Sequence, residues 1–302
     1  MTTKTMTAPI GATPTFSLNH LSSHATLTWM LRFFVSALFL GRAWQFLRWD
    51  APLRTLFWKQ AWMETPVLWL TGMSWEQYVT SPTTDWLLQA ATRGMGVIML
   101  VCGILCWTIS GKKRWHGFAM MLGALVLAFT FALYFLGKSY QIGMGIEHAL
   151  QGAAPLFLAA WLARDGFSKR ALNALYLATA LTFIGHGLYA FGFHPQPGNF
   201  VSMTMRCLPL TESGARTLLI GAGILDFVAA AALLVPRLRG IALGYMVLWG
   251  FLTALARAVA YFQFDALLPW LDGWLHQTVY RLVHGGLPLV ALLLWLRERR
   301  DA

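Results

Sequence analysis

The chain has 302 residues, 57% of them hydrophobic and 12% charged, and a formal net charge of +11. A charged share about half that of an ordinary soluble domain excludes a soluble globular enzyme. The positive balance does not indicate nucleic acid as a partner, because the basic residues sit in short connections between long apolar runs.

In chain order, residues 1–26 are rich in Thr and Ser with a single Lys, which predicts a polar mobile tail. A cleaved signal peptide is the weaker reading, since no small-residue cleavage site ends the first apolar run. Runs of about 18 or more apolar residues can cross a hydrocarbon core. Such runs predict spans near Leu27–Leu47, Trp86–Ile109, Gly117–Leu136, Gly143–Ala163, Ala171–Phe191, Arg216–Val235, Ile241–Phe262 and Tyr280–Leu296. They are about twice the length of a barrel strand and do not alternate, so all are predicted helical. The expected fold is an all-α polytopic membrane bundle of about eight transmembrane helices, with the lipid bilayer as its surroundings.

Basic residues follow every second span: Lys112, Lys113 and Arg114; Arg164, Lys169 and Arg170; Arg237 and Arg239; Arg297, Arg299 and Arg300. With an even number of spans these clusters share one side, the cytoplasmic one by the positive-inside rule. The chain is therefore expected in the cell's inner (plasma) membrane with both termini cytoplasmic. Arg32 lies close enough to that interface to snorkel.

The spans divide into halves, 27–165 and 166–302, that share features in the same order. Phe39-Leu40-Gly41-Arg42 matches Phe183-Ile184-Gly185-His186, and the aromatic stretches that follow end in Asp50 or His194 before a proline. Arg93 matches Arg216, and Gly117 matches Gly240. Gln151-Gly152-Ala153-Ala154-Pro155-Leu156 matches His284-Gly285-Gly286-Leu287-Pro288-Leu289. The halves are expected to be parallel four-helix repeats about an axis along the membrane normal.

Long outer connections at 48–85, 195–215 and 263–279 hold Trp, Pro and Gly; Trp58, Trp62, Trp69 and Trp75 predict amphipathic segments in the interface. Cys102 and Cys106 share a helical face, where small packing residues are the preferred reading over a redox pair. Cys207 falls in an outer connection, and the three cysteines give no disulfide framework.

Ionisable residues concentrate in the outer halves of the spans. Arg42, Arg93, Glu147, His148, Gln151, His186, Arg216, Arg257, Arg281 and His284 lie there, with His194 beside Pro195 and Asp226 near mid-membrane, where Arg257 is one candidate partner. Lys138 lies in the turn before the fourth span. A charge facing lipid costs several kcal/mol, so these groups are expected to face inward around one outward-open polar pocket. Such a pocket suits a proton, an anion or a quinone-like headgroup. Inter-helix pairing is the alternative for any single pair. His148, His186 and His284 with Glu147 could ligate metal or haem only through tertiary contact. No Cys-x-x-Cys or His-Glu-x-x-His spacing is present, and no metal is predicted. No Walker loop, dinucleotide fingerprint or nucleophile elbow occurs.

Gly185-His186-Gly187, Phe191-Gly192-Phe193-His194-Pro195, Pro197-Gly198-Asn199-Phe200, Arg216 through Asp226 and Val235-Pro236 together resemble the DoxX-like membrane proteins, with the first half as a more divergent copy. The resemblance implies a four-helix membrane unit and, from some relatives, a quinone-linked subunit of a thiosulfate-oxidising or methylamine-utilising system, with a membrane or periplasmic redox partner. A more distant likeness, carried by Gly41-Arg42-Ala43-Trp44-Gln45, Lys138 and Glu147-His148, is to the horizontally transmembrane domain proteins related to vitamin K-dependent carboxylase. The expected function is thus a quinone- or redox-linked membrane subunit. The alternatives are a transporter of a small anion or protons, and a non-catalytic scaffold or partner subunit.

Overall fold

The computed structural model describes residues 22–301. Most of the expected tail, residues 1–21, lies outside the described residues, and the remainder enters the first helix, α1 (His24–Arg48). Ser23 caps α1, its Oγ accepting the Thr26 N–H and satisfying one orphan donor of the first turn.

Among the described residues every regular element is helical. The first long connection folds into α2 (Arg54–Phe57), α3 (Gln60–Thr71) and α4 (Trp75–Thr80), the last with a Ser74/Gln77 capping box. Next come α5 (Pro82–Leu105), α6 (Arg114–Gly137), α7 (Ile142–Ile146) and α8 (Ala149–Arg164). Then follow α9 (Lys169–Phe191), α10 (Gly198–Cys207), α11 (Glu212–Ala232) and α12 (Arg239–Ala260). The chain closes with α13 (Leu267–Trp270), a π-helical stretch over Leu271–Leu275, α14 (His276–Val279) and α15 (Val283–Asp301).

Among the described residues, seven stretches are long and apolar enough to cross a membrane: α1, α5, α6, α9, α11, α12 and Leu267–Arg300. The protein is therefore a multi-pass helical membrane protein. The fourth expected span departs from the expectation. Instead of one helix over Gly143–Ala163, the short α7 is followed by the 16-residue α8, with His148 in non-helical conformation between them. Gly143 and Gly145 weaken helix there, and the Gly143 N–H is used by His194 Nε2 at 3.2 Å. The expected outer connection at 263–279 is also more ordered than the sequence suggests, because its helical turns lead directly into α15.

Contacts fix the two ends of the bundle. At one end His24 meets Asp165 at 2.9 Å, Trp161 donates to Thr28, Arg239 lies over Tyr176, and Gly240 packs on Trp295. The four basic clusters belong to this end. At the other end Arg48 pairs with Asp272 at 2.8 Å, Lys59 donates to Tyr140, and Tyr189 donates to Gln141. The long connections belong there. The chain of α8 runs from the long-loop end, beside Gln141, to the basic end at Arg164.

Helix partners are chosen by small residues, as expected where lipid offers no hydrophobic drive for helices to associate. Helix α1 lies along α5 and α9 along α11; α6 lies along α8 and α12 along α15. Gly103 faces Leu40 and Phe39, while Gly223 faces the Phe191 backbone. Contacts also cross between halves, with α1 against α14 and α15, and α9 against α7 and α8. Leu31, Phe39, Met99, Leu127, Leu150, Leu158 and Leu287 form one continuous core. Phe118, Leu125, Leu177, Leu234 and Ile241 expose most of their surface, as lipid-facing residues do.

Arg32 does more than snorkel. Its two Nη groups donate to the carbonyls of Cys106 and Ile109 at 2.7 Å each, satisfying acceptors that the end of α5 leaves open. Replacing Arg32 with alanine is expected to lower the thermal midpoint in detergent by the equivalent of about 1–3 kcal/mol and to raise hydrogen exchange over 105–110, since two semi-buried carbonyls lose a charged donor. Cys102 and Cys106 are buried and free, and Cys102 Sγ sits 3.5 Å from the Ala119 carbonyl, as a packing residue would.

Candidate functional site

Helix α1 carries Arg42 into the centre of the bundle, where only 1% of its surface is exposed. One Nη donates to Gln151 Oε1 at 2.8 Å and the other to Gln45 Oε1 at 2.9 Å. Its guanidinium stacks over Tyr280, 3.9 Å from the ring centroid, so a face is covered as well as the two Nη groups, while the buried Nε makes no hydrogen bond with a described residue. Arg42 can only donate, which fixes the Gln151 amide with its oxygen toward Arg42 and its nitrogen toward His284.

Gln151 Nε2 lies 2.9 Å from His284 Nε2. An amide nitrogen also only donates, so His284 Nε2 must accept. His284 is consequently a neutral imidazole with its proton on Nδ1. The orientation thus passes from Arg42 on α1, through Gln151 on α8, to His284 on α15.

His186 on α9 continues the layer, its ring centroid 5.2 Å from that of His284. Glu147 sits at the junction of α7 and α8, with Oε2 3.4 Å from His186 Nδ1 and Oε1 3.7 Å from His148 Nδ1. His148 stacks on Phe131 at 4.3 Å and faces the Met144 carbonyl at 3.3 Å. The close approach of α9 to this junction depends on Gly185, whose position leaves no room between it and the Glu147 backbone. His194 braces the same junction through the Gly143 N–H.

Beside this layer opens a cavity of about 490 Å³ bounded by α9, α11, α12 and α15, with α10 across it. Its wall is mainly apolar and includes Phe183, Leu219, Trp249 and Leu252. Its ionisable lining includes His186 and His284, whose ring centroids lie 5.2 Å apart, with Arg257, Arg281 and Asp226. Arg257 is 6% exposed and donates only to the Thr253 carbonyl of its own helix, at 3.1 Å. Arg281 donates to the Tyr280 hydroxyl at 2.5 Å.

Asp226 also borders the cavity, but its partner is not Arg257. Tyr245 Oη donates to Asp226 Oδ1 at 2.8 Å, one of the few ways to satisfy a carboxyl that is 1% exposed. Two other expected members fall outside. Arg93 is exposed on the outer face of α5, because its face of the helix points away from α1. Arg216 is exposed near the start of α11, where it binds Glu212 at 2.7 Å and Gln196 at 3.2 Å. Lys138 stands exposed at the turn after α6.

Depth along the chain reveals neither facing nor aromatic partners. Tyr280, Tyr134 and Gln45 surround Arg42, and Tyr280, one helical turn before His284, shares its spacing along the chain. Cys207 borders the cavity at the end of α10, its Sγ 3.7 Å from the Ala256 carbonyl. Among the described residues, no three His, Cys, Asp or Glu side chains are grouped as metal ligands would be. No protein-family model, no curated protein and no solved structure matches this chain.

Proposed function

We propose that this multi-pass membrane protein holds a lipid-soluble molecule with a polar head in the cavity between α11 and α12, and that its role is that of a DoxX-like, quinone- or redox-linked membrane subunit. The observation that carries the reading is a mainly apolar cavity whose lining includes His186, His284, Arg257 and Arg281. A small number of placed polar groups in an apolar pocket is the usual composition of a small-molecule site. The redox class rests on the resemblance stated above.

The reading includes eight crossings in two parallel repeats, α8 counted among them, with the basic end on the cytoplasmic side of the inner membrane. Several equivalences support the repeat. Gly41 abuts the Tyr280 backbone as Gly185 abuts that of Glu147, and Tyr280 and Glu147 each lie four residues before the matched pair His284 and Gln151. Pro155 and Pro288 each follow that pair by four residues, inside α8 and α15. Arg42, Gln151, His186 and His284, matched in pairs between the halves, meet in one layer.

A transport path between the halves receives less support, because the polar groups at that seam are bonded to one another and the cavity is bordered by second-half residues. Gentle extraction followed by native mass spectrometry is expected to reveal a retained lipid-soluble molecule, and His284→Ala is expected to reduce its occupancy about ten-fold or more, as loss of a buried hydrogen-bonding group does. A preparation with no retained molecule and no quinone-dependent activity would overturn the reading.

A further inference from the structure

The cavity is lined by two guanidiniums, Arg257 and Arg281, most of whose donors have no partner among the described residues. Neither Arg257 nor Arg281 takes part in a direct ion pair among the described residues; Glu147 lies against His186 and Asp226 accepts from Tyr245, and neither carboxylate comes within ion-pair distance of the two guanidiniums. Arg257 spends one donor on a backbone carbonyl and Arg281 one on a phenol. A guanidinium carries five N–H donors, so most of both forks is left for an occupant. His284 adds a further donor, since its proton is held on Nδ1 by the contact with Gln151, and Nδ1 makes no hydrogen bond with a described residue.

Arg257 is buried and Arg281 half-buried; guanidiniums held out of water without a directly bonded anion are costly, and the relief that fits their planar fork is a carboxylate or phosphate. The rest of the cavity excludes a free anion as the best occupant, because Phe183, Trp249, Leu219 and Leu252 offer only apolar wall. At the rim, Leu252, Leu255 and Val259 are 48%, 45% and 62% exposed, so the cavity opens sideways through residues that lipid would cover. A molecule arriving through that gap comes from the bilayer.

We propose that the cavity binds an anionic amphiphile, a carboxylate- or phosphate-headed lipid, with its head on Arg257 and Arg281 and its chain leaving between α11 and α12. The inference rests on the cavity being the site of a lipid-soluble ligand and puts an anionic head there in place of a quinone's; a quinone, being neutral, would leave both guanidiniums without a directly bonded anion.

The test is binding to the full chain in uncharged-lipid nanodiscs, comparing oleate, oleoyl lysophosphatidate, monoolein, decylubiquinone and inorganic phosphate. Oleate or lysophosphatidate is expected to bind about ten-fold or more tightly than monoolein, which shares the chain but not the charge. The Arg257→Gln/Arg281→Gln pair should lose that preference and keep the weak monoolein binding. Should the double variant fail to fold, Leu252→Trp, which fills the chain's path and leaves both arginines in place, should weaken oleate binding with no change in melting. Displacement of oleate by millimolar inorganic phosphate alone would assign the site to a soluble anion and overturn the lipid. Decylubiquinone bound as well as, or better than, oleate would overturn the anionic head and leave the lipid-soluble ligand standing. No binding of any amphiphile would remove both.

Discussion

Arg42→Leu is expected to destabilise the protein by about 2–4 kcal/mol, the largest loss from any single side chain in the polar layer. The change removes a buried charge, which by itself is favourable. It also strips the donors from Gln151 Oε1 and Gln45 Oε1, each within 2.9 Å of Arg42, and uncovers the Tyr280 ring on which the guanidinium lies. A buried acceptor left without a partner costs about 1–3 kcal/mol, so the deprived acceptors outweigh the relieved charge. Arg42→Lys keeps the charge but cannot bridge both glutamines from one planar fork, and should fall between the parent and the leucine variant. Thermal melts in detergent check the order. A second readout separates a structural loss from a change in the site. With Arg42 present the Gln151 amide has one orientation and His284 carries its proton on Nδ1; with leucine the amide can flip and the histidine can exchange tautomers. Nitrogen chemical shifts of labelled histidine should show one tautomer in the parent and a mixture in Arg42→Leu.

The membrane class and most of the spans were legible because hydrocarbon imposes a length and a composition that no turn chemistry can override. Helix α6 (Arg114–Gly137) differs from its expected bounds by only a few residues. The fourth span was not legible as two pieces, since Gly143 and Gly145 are tolerated in membrane helices, and only a tertiary donor-acceptor contact, Gly143 to His194, shows that the backbone is drawn out of register. Depth was legible too, because it counts residues along a helix. Facing was not. Arg93 is at the right depth, but depth does not give facing: the buried face of α5 runs through Leu88, Thr92, Gly96, Met99 and Gly103 and leaves Arg93 on the exposed one. The cavity was invisible for a different reason. It is the space enclosed by α9, α10, α11, α12 and α15, bordered by leucines and aromatics that would read identically had the helices closed on each other.

Gly185→Val is expected to abolish stable folding or cost about 3 kcal/mol or more, and Gly185→Ala to be nearly as damaging. Most overpacking is relieved by turning a side chain. Here a Cβ on residue 185 would lie 2.6 Å from both the amide nitrogen and the Cα of Glu147, so the whole junction of α7 and α8 must retreat. Glycines whose added Cβ meets nothing provide the control: Gly221→Ala and Gly244→Ala have open space and should be neutral or stabilising by up to about 1 kcal/mol from helix propensity. If melting temperatures of Gly185→Ala and Gly244→Ala were alike, the close packing of α9 on that junction would be refuted. The same contact sets the site. Glu147 Oε2 reaches to 3.4 Å of His186 only because residue 185 has no side chain. A retreat of about 1 Å, of the size a methyl group demands, therefore moves the carboxylate away from the histidine that borders the cavity, and any alanine variant that still folds should lose ligand affinity before it loses helix content.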